Sequence, residues 1–469
     1  MKASRWAIAI AMLQIAAPSW ASAQSISQAE AEQLRAQIAA LKAQVQMLET
    51  RLDVAAPVSA AAGSGASGGA AASAVPPALA SASKPAAAVE PATKISWKGS
   101  PQFSSDDAKF KVKGRIQYDA ALLMAPGSIS DRAQGYSNEL RRLRLGAEGQ
   151  LGAGFGYKLE TELSDNSIDL VDTFITYENG KWLVTLGNHN QFQSLDELIG
   201  DTTGSVMERA AFTDAFNFER RLGLSAQYRS GILLAQLGLF SDSADSLTND
   251  EDGDENNSYS VDGRIVLAPR IGKTQLHFGA SGHWRDFNRL ADQPQRYRQR
   301  PYLHSINSRY LATPSIDSTG EYHYGLEFAG ARGPLYWAGE THWLRTKRPG
   351  LSDPTFFGGY AEVGYFLTGE TRSYKNGIFG STKPKQEFGD GGMGSLQVTA
   401  RYDHLDLNDK DIVGGTQNAW ILGLVWTPIE YLRFNLNYAH LRYTDAAIPA
   451  GTDRDYGVNV VGWRAELDF

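Results

Sequence analysis

Residues 457–469 read GVNVVGWRAELDF. Successive side chains of an extended chain point to opposite sides, so Trp463, Ala465, Leu467 and Phe469 share one face and Arg464, Glu466 and Asp468 the other. An apolar row opposite a charged row, closed by an aromatic residue, suits a strand with lipid on one side and water on the other. One such strand decides little. The same alternation recurs in sixteen segments, 109–120, 139–151, 154–164, 168–179, 181–187, 220–229, 231–241, 258–268, 273–286, 321–330, 333–345, 357–368, 394–405, 418–428, 431–443 and 457–469. Most reach the roughly 9–11 residues that a tilted strand needs to cross a bilayer; 181–187 is short.

Composition fits an all-β, 16-stranded antiparallel transmembrane barrel. The 469 residues include 47 Gly and 49 aromatics (10 Trp, 20 Tyr, 19 Phe), with a net charge of −7 and a mean hydropathy of −0.33. After residue 23 no run approaches the ~20 apolar residues of a membrane-spanning helix. A barrel passes under that test because only alternate residues face lipid. The absence of cysteine excludes disulfide frameworks and thiolate metal sites, and it suits passage through an oxidising periplasm.

Three modules precede the strands. Residues 1–23 read as a secretory signal, with Lys2 and Arg5, an apolar run from Trp6 to Ala17, and an Ala21-Ser22-Ala23 cleavage site. In 24–53, Leu34, Ile38, Leu41, Val45, Leu48 and Leu52 follow a 4-3-4-3-4 spacing, the heptad seam of a self-associating α-helical coiled coil. Residues 54–102, rich in Ala, Ser, Gly and Pro, read as a disordered linker. The barrel is assigned to 103–469.

Connection lengths give an independent check. Links after even strands are short at Gly152-Ala153, Asn179-Gly180, Ser230, Pro269 to Gly272, Ala331-Arg332 and Ile429-Glu430. Links after odd strands are expected to be long: 124–138, 188–219, 242–257, 287–320, 346–356, 406–417 and 444–456, with 165–167 as the exception. Short turns at one end and long loops at the other are the outer-membrane arrangement. The 369–393 link is long on the side expected to face the periplasm.

The inward rows lean cationic. They carry Lys109, Lys111, Lys113 and Arg115 on the first strand, Arg142 and Arg144 on the second, then Arg221, Arg264, Arg285, Arg401 and Arg433. Glu148, Glu160, Glu162, Glu327 and Glu340 face the same way, so a bias towards anions is expected rather than exclusion of cations. The acidic run Asp250 to Glu255 resembles a calcium loop in composition but lacks the flanking helices and the distal bidentate Glu; it reads as a solvated loop. Arg285 to Arg309 holds six arginines against Asp286 and Asp292. Within it Arg296, Arg298 and Arg300 alternate, which aims three guanidinium groups the same way along an extended chain. Such a row suits stepwise passage of phosphate or carboxylate, or alternatively an external loop that meets lipopolysaccharide phosphates.

Several motifs then align in order. Tyr365-Phe-Leu-Thr-Gly-Glu-Thr-Arg-Ser-Tyr374 resembles the FLTGE-x-R-x-Y signature of the phosphate-selective porin O and P family. Ala400-Arg-Tyr-Asp-His-Leu-Asp-Leu-Asn-Asp409 with Gly414-Gly415 is similar to its LDLND…GG stretch, and Arg300-Pro301, Tyr324-Gly-Leu-Glu327, Gly333-Pro334, Ser194-Leu195 and Met207-Glu208-Arg209 add to the match. The resemblance implies a homotrimer of sixteen-stranded barrels, each narrowed by an inward-folded third loop, here 188–219. It carries Arg209 to the constriction and Arg296, Arg298 and Arg300 to an arginine row. No lysine occurs between Lys181 and Lys273, although phosphate-specific members place one near the constriction.

The expected function is therefore passive, anion-preferring diffusion of small solutes such as phosphate across the outer membrane of a Gram-negative bacterium. The anion path is assigned to Arg209, Arg296, Arg298, Arg300, Arg142, Arg144, Arg115, Arg285 and Arg401. A general or sugar-type porin, with Tyr297, Tyr302, Tyr310 and Trp337 lining a wall, is the alternative, as is a mainly structural barrel tied to peptidoglycan by a periplasmic coiled coil. No cofactor, metal or nucleic-acid partner is expected. Enzyme motifs are lacking: the eight histidines show no metal-binding spacing, and no nucleophile elbow or phosphate-cradling Gly-Lys-Ser/Thr occurs.

Overall fold

A computed structural model describes residues 93–129, 134–164, 167–244, 258–287 and 294–469. The assigned signal and coiled coil, and the linker up to residue 92, lie outside the described residues. Sixteen long strands follow in chain order: β1 Lys109–Met124, β2 Gly135–Gly152, β3 Phe155–Glu162, β4 Asp169–Asn179, β5 Trp182–Asn190, β6 Arg220–Ser230, β7 Leu233–Phe240, β8 Tyr259–Leu267, β9 Thr274–Asp286, β10 Gly320–Arg332, β11 Leu335–Lys347, β12 Thr355–Phe366, β13 Ser395–Asp409, β14 Ile412–Ile429, β15 Leu432–Thr444 and β16 Gly457–Asp468. Each pairs antiparallel with the next, and β16 returns to β1 through Trp463↔Ala120 and Asp468↔Arg115. Closure leaves no unpaired edge, and in lipid each unpaired backbone group costs several kcal/mol.

Alternation sorts side chains as read. Ile116, Tyr118, Leu145, Leu186, Leu326, Leu422 and Trp463 are exposed on the outer surface, whereas Gln117, Asp119, Arg464 and Glu466 are buried within. A register slip of one residue would exchange these rows, so the lipid face itself fixes the pairing. Phe469 continues β16 by exchanging both backbone bonds with Gly114, at 2.9 and 3.0 Å. Its ring occupies the space a Cβ on Gly114 would need, the nearest ring carbon standing 2.2 Å from that position.

Three departures from the sequence reading matter. Strand pairing begins before residue 103, in a short hairpin of Lys94–Trp97 and Pro101–Ser104 that joins the start of β1. The expected long link at 406–417 is a tight turn at Lys410-Asp411, because β13 and β14 extend past their apolar alternation around a bulge at Asp406/Asn408. The 369–393 link does not stay outside the wall. Its first half turns into the barrel, where Tyr374 Oη meets His277 Nδ1 at 2.6 Å, Gly377 O accepts from Arg264 Nη2 at 2.9 Å, and Phe379 is fully buried.

Candidate functional site: the constriction loop and its arginines

Residues 191–219 leave the wall after β5 and cross the lumen. Two short helices shape them, α1 Leu195–Leu198, capped by Ser194 Oγ, and α2 Ala211–Ala215. Wall side chains hold the crossing chain. The Glu340 carboxylate accepts from the N–H groups of Leu195 and Asp196 at 3.2 and 3.1 Å, and Asp403 accepts from Ala211 N at 3.0 Å. Arg433, Arg464 and Arg372 donate to the carbonyls of Gly204, Met207 and Thr203. Gly358 lets α2 approach β12: a Cβ there would lie 2.4 Å from Phe212 Cβ. Phe212, Phe216, Tyr297, Tyr310 and Leu311 fill the adjoining part of the lumen as a buried apolar mass.

A cavity of about 370 Å³ remains beside the loop. Eight arginines (Arg141, Arg142, Arg209, Arg220, Arg300, Arg372, Arg401 and Arg464) and seven carboxylates (Asp196, Glu197, Asp201, Glu208, Asp214, Glu219 and Glu362) line it, with no lysine. A second cavity of about 200 Å³ lies towards the short-turn end and adds Lys111, Lys113 and Arg433; Arg372 borders both. Arg372 is wedged between the rings of Tyr336 and Phe379, each 4.5 Å from the guanidinium carbon, and it pairs with Glu362 at 3.3 Å.

The electrostatic centre is Asp201 on the loop. Arg142, Arg209, Arg115 and Arg144 reach it at 3.1, 2.9, 3.5 and 3.5 Å. Burial raises the Asp201 carboxyl, but Arg142, Arg209, Arg144 and Arg115 outweigh it and hold the group well below the ordinary carboxylate range. Glu208 is likewise pushed up by burial yet brought down to about 2 by Arg141 and Arg464. Asp214 and Glu197 go the other way, since desolvation there exceeds the pull of Arg300 and Arg209. Three of the four guanidinium groups have a second carboxylate, Arg115 with Asp468, Arg144 with Glu162 and Arg209 with Glu197 at 3.2 Å, so the cluster is balanced and Arg142 pairs with Asp201 alone among the described residues. Arg401 adds a donor: two of its nitrogens bind Glu362 at 2.8 and 2.9 Å, while buried Nη1 finds no hydrogen-bond partner among the described residues.

Of the nine arginines singled out in the sequence, Arg142, Arg209, Arg300 and Arg401 line the cavity. Arg115 and Arg144 stand behind Asp201. Arg285 sits elsewhere in the lumen, 3.5 Å from Asp242 and 3.7 Å from Glu321. Arg296 and Arg298 do share a face, but both are exposed; Arg296 Nε donates to Thr313 O at 3.1 Å, and only Arg300, tied to Asp214, turns into the cavity.

Arg141, Arg220, Arg372 and Arg464 were not singled out for the site. Arg141 escaped because a bulge at Gln117/Tyr118 adds one residue to β2, which lets Arg141 approach Glu208 at 3.8 Å while Arg142 reaches Asp201. Strict alternation would have sent one of them to lipid. Arg464 was visible on the charged row of the final strand, and Arg372 inside the FLTGE-x-R stretch; neither strand period nor motif tells that a loop will meet them.

The profile of the family described as "Phosphate-selective porin O and P" matches residues 110–469, the whole barrel. The chain belongs to that family. It is similar to an uncharacterized protein of Caulobacter vibrioides, 53% identical over 450 residues, covering 95% of this chain and 91% of the relative. Porin O of Pseudomonas aeruginosa is 25% identical over 358 residues, 69% of this chain and 78% of that one. Among solved structures, OmpT of Vibrio cholerae aligns with a TM-score of 0.49 at 10% identity over 78% of this chain and 99% of that one. The outer membrane channel DcaP of Acinetobacter baumannii gives 0.47 at 13% identity, over 78% and 99%. Family and barrel point to a porin of the outer membrane, a channel rather than an enzyme.

Proposed function

We propose that the barrel passes small anions, inorganic phosphate among them, by passive diffusion, with their preference set at the loop 191–219. The observation that carries this reading is the arginine-rich lining of the cavity at that loop, where Asp201 draws four guanidinium groups together. Eight arginines against seven carboxylates is a modest excess, so the channel favours anions without barring cations. Arginine forks suit bidentate contact with phosphate or carboxylate, and the interleaved acids keep any one anion from being trapped. The protein works as a homotrimer and is exported by its first 23 residues.

The sugar-type alternative needs aromatics along the passage. Tyr297 and Tyr310 are fully buried, Trp337 sits on the outward row beside Gly330, and Tyr302 alone of the four borders the cavity. The test is the reversal potential in a planar bilayer under a potassium chloride gradient, followed by phosphate competition against the chloride current. An anion-signed potential and a current lowered by millimolar phosphate are expected. A cation-signed potential rejects the proposal, and a folded barrel without conductance favours the structural role.

A further inference from the structure

Strand register assembles what chain spacing hides. Asp262 on β8 faces His283 on β9, and His283 faces His323 on β10, so three side chains form one row across the inner wall. Glu321 stands two residues before His323 on the same face. Ligand atoms of His283, Glu321 and His323 all lie within 4.8 Å of one another, and all three residues are buried. We propose that these three residues bind a divalent transition-metal ion such as Zn²⁺.

Two independent features point to a ligand. Both ring nitrogens of His323 are buried without a hydrogen-bond partner among the described residues; its Nε2 is 3.7 Å from Glu321, too far for a hydrogen bond. An imidazole in that state needs a partner that its protein neighbours do not supply. The other two ligands already have the outer partners of a metal site. Asp262 Oδ1 takes His283 Nδ1 at 2.6 Å, which orients the ring and leaves Nε2 as the ligand atom, and Tyr297 Oη donates to Glu321 Oε2 at 3.0 Å, leaving the other oxygen for the ion.

Charge is compatible. Asp262 and Glu321 offset a dication, and the nearby guanidinium of Arg285 is shared with Asp242 at 3.5 Å. Two imidazoles and one carboxylate suit Zn²⁺ or Co²⁺ and leave a fourth position open. Bonds of about 2.0–2.1 Å at tetrahedral angles hold ligand atoms roughly 3.4 Å apart, so binding draws the side chains in by about an ångström. Phe216 and Phe218 of the constriction loop pack on His323 at 6.3 and 5.7 Å between ring centroids, so the ion would stiffen the wall on which that loop rests.

Because the site is enclosed, the full chain is folded with Zn²⁺ or Co²⁺ present and then dialysed. About one metal per chain by mass spectrometry, and visible Co²⁺ absorption of a nitrogen- and oxygen-ligated ion, are expected. His323→Gln and Glu321→Gln should lose the metal, and Asp262→Asn should weaken it 10- to 100-fold. His440→Gln, at an exposed site, should change nothing. Should the ligand variants not fold, Asp262→Asn carries the test, with folding judged by heat-modifiable gel migration. A closed wild-type barrel retaining under a tenth of a metal per chain overturns the proposal, as does binding indifferent to these wall variants or abolished by His440→Gln.

Discussion

Two groups of arginines, both conspicuous in the sequence, end in opposite circumstances. Arg115, Arg142, Arg144 and Arg209 crowd one buried carboxylate in the lumen, whereas Arg296 and Arg298 stand in solvent beside a loop backbone. Cation density along the chain does not distinguish them. What does is water: a guanidinium in a narrow, partly desolvated passage acts on a passing ion with little screening, while one at an open surface is screened within a Debye length of ~8–10 Å.

The strongest way to break the contrast is Asp201→Asn. Removing the shared carboxylate leaves four clustered guanidinium groups one counter-charge short, Arg142 most of all, and costs the loop about 3 kcal/mol of anchoring. Single-channel recordings should show a larger, noisier conductance with increased anion preference; an unchanged record would mean that Asp201 does not shape the passage. Acid should act in the same direction. Asp201 and Glu208 titrate lower in the folded protein than in the unfolded chain, so their contribution is whole above about pH 4–5 and fades as pH falls towards the folded values, about 2 for Glu208. The noise that comes from Asp201 should therefore grow as pH falls from about 4 towards 2, with Asp201→Asn showing less of this change. The smallest effect belongs to the exposed group. Arg296→Ala with Arg298→Ala should leave the reversal potential within error, and adding Arg300→Ala should lower anion preference slightly; a large shift from the first pair would move the conduction path onto the β9–β10 loop.

The same contrast explains what could be read beforehand. All sixteen strands overlap the segments that alternation marked, several running longer, since a wall between lipid and water must repeat every two residues, and Trp463 or Arg464 declares its side by its chemistry. Loops obey no such period. The resemblance carried Arg209 to the cavity, but nothing in the chain announced that Asp201 would collect four arginines, that a bulge would bring Arg141 inside, or that Arg372 would rise into the barrel between Tyr336 and Phe379. Those placements depend on contacts between residues up to hundreds of positions apart. The histidines illustrate it best: their spacing along the chain is uninformative, yet register sets His283 against His323.

Arg433, Arg464 and Arg372 grip the crossing loop by the carbonyls of Gly204, Met207 and Thr203. Every amino acid carries that oxygen. Substitutions at these three positions can therefore alter what the filter presents to solutes without releasing its fastening, so a lineage could retune its diet by local drift while the surrounding cylinder stays fixed.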